Sequence, residues 1–512
     1  MPFLESSSLC GLYFWRREIS RGKQKLRRPT CKPSLSSRAT TALVHLSLAG
    51  IVACVSLLAT RLAEAVQIRH WEHAPYELSI RIAIEAPGQL REKLEIELPR
   101  YIQQRIDTSV GPIWLPTIQL AGPSLRSEMF SDLAAVPLDH VVTDPAAVDK
   151  LQLLTVRATG DGFYLAAREY DGYVERWGEI TNDSCRQYAA VNERVFMLLW
   201  ETFAPLARLR LDPENDDLVL LDLRGTKIST KDKSVSPAKQ GDVFLPVLRR
   251  TTREGTLIEN GIQAVPWTFV TVDGAQGESI LGNVYSGTKR PLGVRRRGRV
   301  EQVAIALRGK PAIANLHLHS RDDTKTPLVG YEIYTQDTGS ENLGLAGLTD
   351  DDGTLPIAPG NSRVQFVFVK NGGQLLARLP VIPGIHHHLD VPLPDDNPRL
   401  KAEATLIALR ENLIDLVARR NILLARIRKQ IDSGKLDEAS RLLDQFEELE
   451  GRAQFNRELN KQEQLHHSED TQIQRHIDKL FRETRAVLGH FLDARAASKL
   501  RDELNAAPSA SP

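Results

Sequence analysis

The chain has 512 residues, with 66 Lys or Arg against 65 Asp or Glu and only four cysteines. The near-neutral balance excludes a strongly basic nucleic-acid binder, and so few cysteines exclude a small scaffold stapled by disulfides. The length exceeds what one hydrophobic core usually serves and predicts several domains.

The first 65 residues hold three zones. Before Thr40 the chain carries Arg16, Arg17, Arg21, Lys23, Lys25, Arg27, Arg28, Lys32 and Arg38 against Glu5 and Glu18, a positive head that stays on the cytoplasmic side. Ala42 to Ala59 is almost wholly apolar, about 18 residues and long enough to cross a bilayer core as a helix. Ala63-Glu64-Ala65 then gives the small-x-small pattern that signal peptidase needs. Residues 1–65 are therefore expected to be a signal peptide, with an uncleaved anchor at residues 42–59 as the alternative. Either outcome exports the remainder, to the periplasm or cell envelope. Cleavage would remove Cys10, Cys31 and Cys54, leaving Cys185 alone and no intramolecular disulfide. The mature part would hold 56 basic and 62 acidic side chains, a net of about −6.

The expected organisation after that is multi-domain α+β. Residues 66–230 predict an α+β head. Tyr76 to Ala86 alternates as a strand, Gln89 to Asp107 is helix-like but interrupted at Pro99, and Trp114 to Leu120 is extended. Thr159-Gly160-Asp161-Gly162 predicts a hairpin turn. Asn182 or Asp183 is expected to cap a helix carrying Tyr188, Val191, Val195, Leu198, Leu199 and Phe203, which Pro205 stops. Polar residues 231–240 predict a linker. Short β segments at residues 241–310 then fit a small barrel, similar to SH3-like barrels in length and strand count.

Residues 311–395 predict a β-sandwich. Thr326-Pro327-Leu328-Val329-Gly330-Tyr331 is followed by Leu348-Thr349-Asp350-Asp351-Asp352-Gly353-Thr354. This stretch resembles the opening of carboxypeptidase-regulatory-like, transthyretin-like sandwiches, where a Pro-Leu-x-Gly strand precedes a Thr-Asp-x-x-Gly hairpin. The resemblance covers residues 312–393 and implies a fold with a structural or adhesive role and no catalytic residue. The rest of the chain resembles exported bacterial proteins of unassigned role.

Residues 396–505 predict a helical hairpin or coiled coil, with a disordered tail at 506–512. Leu406, Leu409, Leu413, Leu416, Leu423 and Ile427 form a seam that Arg420 interrupts. Leu436, Ala439, Leu443 and Phe446 form a second apolar face, and Ile473, Ile477, Leu480, Leu488 and Phe491 a third. The seam closes either within one chain or between chains.

Candidate chemistry is sparse. His317 and His319 share one strand face, and His386 and His388 another, so two pairs together would suit a metal. Asp350 to Asp352 lacks the later ligands of an EF-hand loop and predicts a turn. Arg295, Arg296, Arg297 and Arg299 form the one dense basic run of the mature part, suited to an anionic envelope polymer or to a solvated barrel loop. No phosphate loop, nucleophile elbow or zinc-protease helix is present in the sequence, and no cofactor is implied. The expected function is an exported, non-enzymatic envelope scaffold or assembly factor with envelope proteins or polymers as partners and self-association through the C-terminal helices. A metal-assisted hydrolase and a polymer-binding module are the alternatives.

Overall fold

The computed structural model describes residues 71–506, apart from 213, 216, 231–237, 277–278, 294–298 and 386. All of the described residues belong to one compact unit. The expected signal, most of the expected linker, Arg295 to Arg297, His386 and the expected tail beyond Ala506 lie outside the described residues, and Ala506 itself is helical. Among those described, no helix is long and apolar enough to cross a membrane.

The fold is mixed α+β, with a closed six-stranded barrel and a helical C-terminal region. It begins with a six-stranded sheet. Strand β1 (Tyr76–Glu85) buries Tyr76, Leu78, Ile80, Ile82 and Ile84 at alternate positions, the period of a pleated strand. Helix α1 (Gly88–Arg105) carries the chain back to β2 (Trp114–Leu120), which pairs parallel with β1. Helix α2 (Pro123–Ser131) leads to β3 (Lys150–Thr159), parallel to β1 on its other edge. Strands β3 and β4 (Gly162–Asp171) form the expected hairpin, with Thr159 opposite Gly162. Short strands β5 (Arg176–Trp177) and β6 (Thr181–Cys185) both pair with β4. Helices α1 and α3 (Tyr188–Thr202) pack in the main core, and α2 packs in a smaller one with Leu151, Leu153 and Tyr170.

Two local expectations fail here for tertiary reasons. Pro99 lies inside α1 without ending it. Proline removes one backbone bond from a helix, but Leu94, Leu98 and Ile102 stay buried on one stripe around it, and that packing holds the helix together. Asn182 and Asp183 sit in β6, and α3 begins after Gln187 with no side-chain cap.

Strands β7 (Leu206–Leu211) and β8 (Leu218–Leu223) leave the head and enter the barrel. They join β9 (Val243–Thr251), β11 (Thr268–Gln276), β12 (Ser279–Ser286) and β13 (Arg299–Ala306) in the closed order β9-β11-β12-β8-β7-β13. Strand β10 (Leu257–Ala264) is an extra edge on β9. The barrel therefore begins before residue 231, and Ala238, inside the expected linker, is buried in its core. One hydrophobic cluster runs from Trp71 through Phe203 to Leu307, so head and barrel share a core. Phe203 is the hinge of that core, 4.9 Å from the Tyr76 ring and 4.8 Å from Trp114.

Two further sheets face each other across a second core of Leu316, Leu318, Tyr331, Ile333, Val367 and Val391 among others. One sheet is β17-β14-β20, with β14 (Ala314–Ser320), β17 (Thr354–Ile357) and β20 (His388–Leu393). The other is β16-β15-β18-β19, with β15 (Glu332–Asp337), β16 (Gly344–Leu348), β18 (Gln365–Asn371) and β19 (Gln374–Val381). The Thr349–Thr354 hairpin closes on its own side chains. The Asp350 carboxylate accepts from the backbone N–H of Asp352 and Thr354, and Thr349 donates to Leu328 O at 2.6 Å while accepting from Tyr331 N at 2.9 Å. Gly353 supplies the left-handed φ of 72° that the turn requires.

The helical region has a spine, α4 (Asn397–Asp432), of 36 residues. Gly434, at φ 74°, ends it as Lys435 N donates to Gln430 O and Gly434 N to Ile431 O, a Schellman stop. Helices α5 (Leu436–Glu448) and α6 (Arg452–Leu465) run back along the spine, and α7 (Thr471–Phe491) and α8 (Ala496–Ala506) return. Contacts of Arg420 with Glu450, Thr405 with His466, Arg410 with Thr484 and Arg428 with Glu503 fix those directions. The seam of α4 is thus closed within one chain, over two small cores. Arg420 fits it by lying over the Phe446 ring at 4.2 Å. Of the expected third face, Ile473, Ile477 and Leu488 are buried and Leu480 partly so, Phe481 and Thr484 are buried with them, and Phe491 is exposed.

Candidate functional site

His317, His319 and His388 lie on the three-stranded sheet. Strand β14 points Ala314, Leu316 and Leu318 into the core, so His317 and His319 occupy its other face, with ring centroids 5.4 Å apart. Strand β20 runs parallel beside it, placing Asp390 opposite His317 and His388 opposite Asn315. The His317 Nδ1 to Asp390 Oδ1 distance is 2.9 Å, and His319 Nδ1 lies 3.0 Å from the carbonyl of Ser320. His388 is exposed on the same outward face. The sheet therefore gathers three histidines and Asp390 near one another. Among the described residues, no group of three or more His, Cys, Asp or Glu side chains is close enough to hold a metal ion. Of the basic run only Arg299 is described, exposed at the start of β13 opposite Thr251.

A buried ionic network lies in the head, where Lys150, which the sequence pattern did not single out, joins Glu169 and Asp171 of the mixed Arg168-Glu169-Tyr170-Asp171 run. Lys150 opens β3 fully buried, and its ammonium meets Glu169 Oε1 at 2.6 Å, Asp171 Oδ2 at 2.7 Å and the carbonyl of Ala204. Glu169 also accepts from Ala204 N at 3.0 Å and from Gln152 Nε2 at 2.8 Å, and Asp171 Oδ1 accepts from Val174 N at 3.0 Å. Burial alone would lower the Lys150 pKa. The two carboxylates overcome it and raise the value, so the ammonium stays charged. Burial raises the Glu169 carboxyl above its ordinary range, against the pull of Lys150. The visible sequence signal was the alternation of β4, which sends Glu169 and Asp171 inward and Arg168 and Tyr170 to the opposite face. There Arg168 and Tyr170 stack with Trp177 at 4.8 and 5.2 Å.

Chemically this network is a clasp. All three ammonium donors are engaged, so none is left to bind a substrate. A cavity of about 30 Å³ borders Glu169, Asp171, Trp177 and Arg308, room for one water. Two wider openings are surface grooves. One of about 710 Å³ runs between α2 and β4, past Arg157, Tyr164, Arg168 and His387. The other, of about 930 Å³, separates barrel from sandwich, where Arg378 covers the Phe366 ring at 3.8 Å. Cys185 is half-buried at the end of β6, and burial raises its thiol pKa, the opposite of an activated nucleophile.

No protein-family model matches the chain, and no curated protein matches it in sequence. Among solved structures, it is similar to TolB from Acinetobacter baumannii at 9% identity and a TM-score of 0.15, over 63% of this chain and 97% of that one. It is also similar to BcpA, the major pilin subunit of Bacillus cereus, at 10% identity and a TM-score of 0.14, over 48% of this chain and 71% of that one. Neither likeness fixes a shared fold.

Proposed function

We propose that this protein is an exported, non-enzymatic envelope protein that serves as a scaffold or assembly factor. The observation that carries the reading is the helical spine: α4 has 36 residues, about 54 Å at 1.5 Å per residue, and shows Ile407, Ile414 and Ile422 to solvent. Such a rod offers a long contact surface outside any pocket. The export half rests on the charge, apolar run and small-x-small pattern of residues 1–65. Within the same proposal, the barrel is SH3-like. The paired sheets over residues 312–393 are transthyretin-like, supported by the Thr349 and Asp350 side chains closing the hairpin as that motif would require.

The test is fractionation of cells producing the full chain, followed by crosslinking and affinity recovery from the envelope fraction. The reading expects the chain in that fraction with a reproducible set of envelope components attached. A chain confined to the cytoplasm, or one recovered alone after crosslinking, would end it.

A further inference from the structure

We infer that the protein pairs with a second copy of itself, the two α4 helices lying antiparallel and crossing at Ala418. Ile407, Glu411, Ile414, Ala418, Ile422 and Ala425 are all exposed and recur at steps of four, three, four, four and three, which keeps them on one stripe of a helix. The opposite stripe, with Leu406, Leu413, Leu416 and Ile427, is the one buried against the other helices. Three exposed isoleucines in a row, at 52, 67 and 55%, are an unusual face to leave in water.

The centre of the stripe is symmetric about Ala418. Four residues to either side stand Ile414 and Ile422, whereas the positions seven and eleven away differ in kind, Glu411 against Ala425 and Ile407 against Lys429. Turning one copy end for end sets Ile414 against Ile422 of the other, and the small Ala418 side chains meet where the backbones approach closest. Within eleven residues of Ala418 the exposed charges divide by sign. Glu411 and Asp415 precede the crossing, and Arg419, Arg426 and Lys429 follow it. Antiparallel pairing lays the acidic half of each copy along the basic half of the other. Parallel pairing would set like charges side by side, which helix pairs avoid.

A two-fold axis through Ala418 makes the contact closed and isologous, the same stripe serving both copies.

The pairing deepens the scaffold reading and rests on it only for its use. The test takes the full chain with Cys10, Cys31, Cys54 and Cys185 changed to Ser, and compares Ala418→Cys with Ala404→Cys under mild oxidation by diamide. Antiparallel crossing at Ala418 predicts a disulfide-linked dimer from Ala418→Cys at least tenfold faster than from Ala404→Cys, whose copies sit at opposite ends. Sedimentation should show a dimer that Ile414→Arg weakens at least tenfold. Glu411→Arg should weaken it too, and adding Arg426→Glu should restore it. A monomer at every concentration, equal crosslinking at both sites, or no rescue by the charge swap would overturn the inference. A monomer that still recovers envelope partners removes the pairing and leaves the scaffold reading, whereas a dimer without partners does the reverse.

Discussion

Lys150 occupies a position where β3 would otherwise carry one more apolar side chain, and its cost sets what the residue is for. Taking an ammonium and two carboxylates out of water costs several kcal/mol per ion, which close pairing repays only when the remaining donors and acceptors are also satisfied. Here they join β3, β4 and the turn at Ala204 through a single nitrogen. Lys150→Met should therefore destabilise the fold by about 3–5 kcal/mol in urea denaturation, because it strands Glu169 and Asp171 without their counter-charge. Replacing the three together with apolar residues should recover most of that loss. The pH dependence has a definite sign. A lysine whose folded pKa is raised contributes its full stability below the unfolded value, about 10.4, and loses it as pH rises through the folded value. Stability of the parent protein should fall above about pH 10, and Lys150→Met should flatten that fall. Glu169, raised by burial, acts at the acid end, where its contribution is present below the unfolded value of about 4.3 and lost as pH climbs through the folded one.

Elements whose determinants are local were legible in the sequence, and those set by distant packing were not. The β3–β4 turn follows from Gly160-Asp161, and the end of α4 from Gly434, since both depend on a few adjacent backbone angles. Passage of α1 through Pro99 and the missing cap on α3 depend on which neighbours cover those segments, and no local pattern records that. The His317–Asp390 contact is of the same kind, joining strands 73 positions apart. At the start of α4, Asp396 is fully buried and chelates Arg399, whose guanidinium also donates to Asn371 O at 2.9 Å. Asp396 N donates to the Tyr331 hydroxyl at 2.9 Å, so one aspartate fastens spine to sandwich. Asp396→Ala should cost about 1.5–3 kcal/mol, since the buried guanidinium loses this carboxylate and keeps Glu403 at 2.5 Å, and limited proteolysis should then cut first between residues 393 and 400. Strand β16 is an edge of its sheet with Leu345 and Leu348 more than half exposed, an open template for strand addition. Leu345→Lys should raise the concentration at which the protein aggregates, seen by light scattering, while moving stability by no more than about 0.5 kcal/mol.

For the whole molecule, the sequence pattern separated what the packing unites. Strands β7 and β8 have the same two-residue period as the barrel strands that follow, but their partners lie at Leu220↔Leu281 and Ala207↔Ala304, separations of sixty residues and more that periodicity cannot pair. The expected border at 231–240 followed composition, whereas the hydrophobic cluster runs across it, from Tyr76 and Trp114 through Phe203 to Val243, Phe244 and Val303. A continuous core makes head and barrel one cooperative unit, because opening either exposes apolar surface of the other. The helical spine stands differently, with its own two cores and a link through the Asp396–Arg399 pair. Phe244, fully buried in the barrel, separates these arrangements. Phe244→Ala should cost about 3–5 kcal/mol, and amide hydrogen exchange should show that loss in β3 of the head as fully as in β9, while α7 keeps its protection. If β3 were unaffected, head and barrel would be independent domains as their composition suggests, and the shared core would be a contact surface between two separately stable bodies.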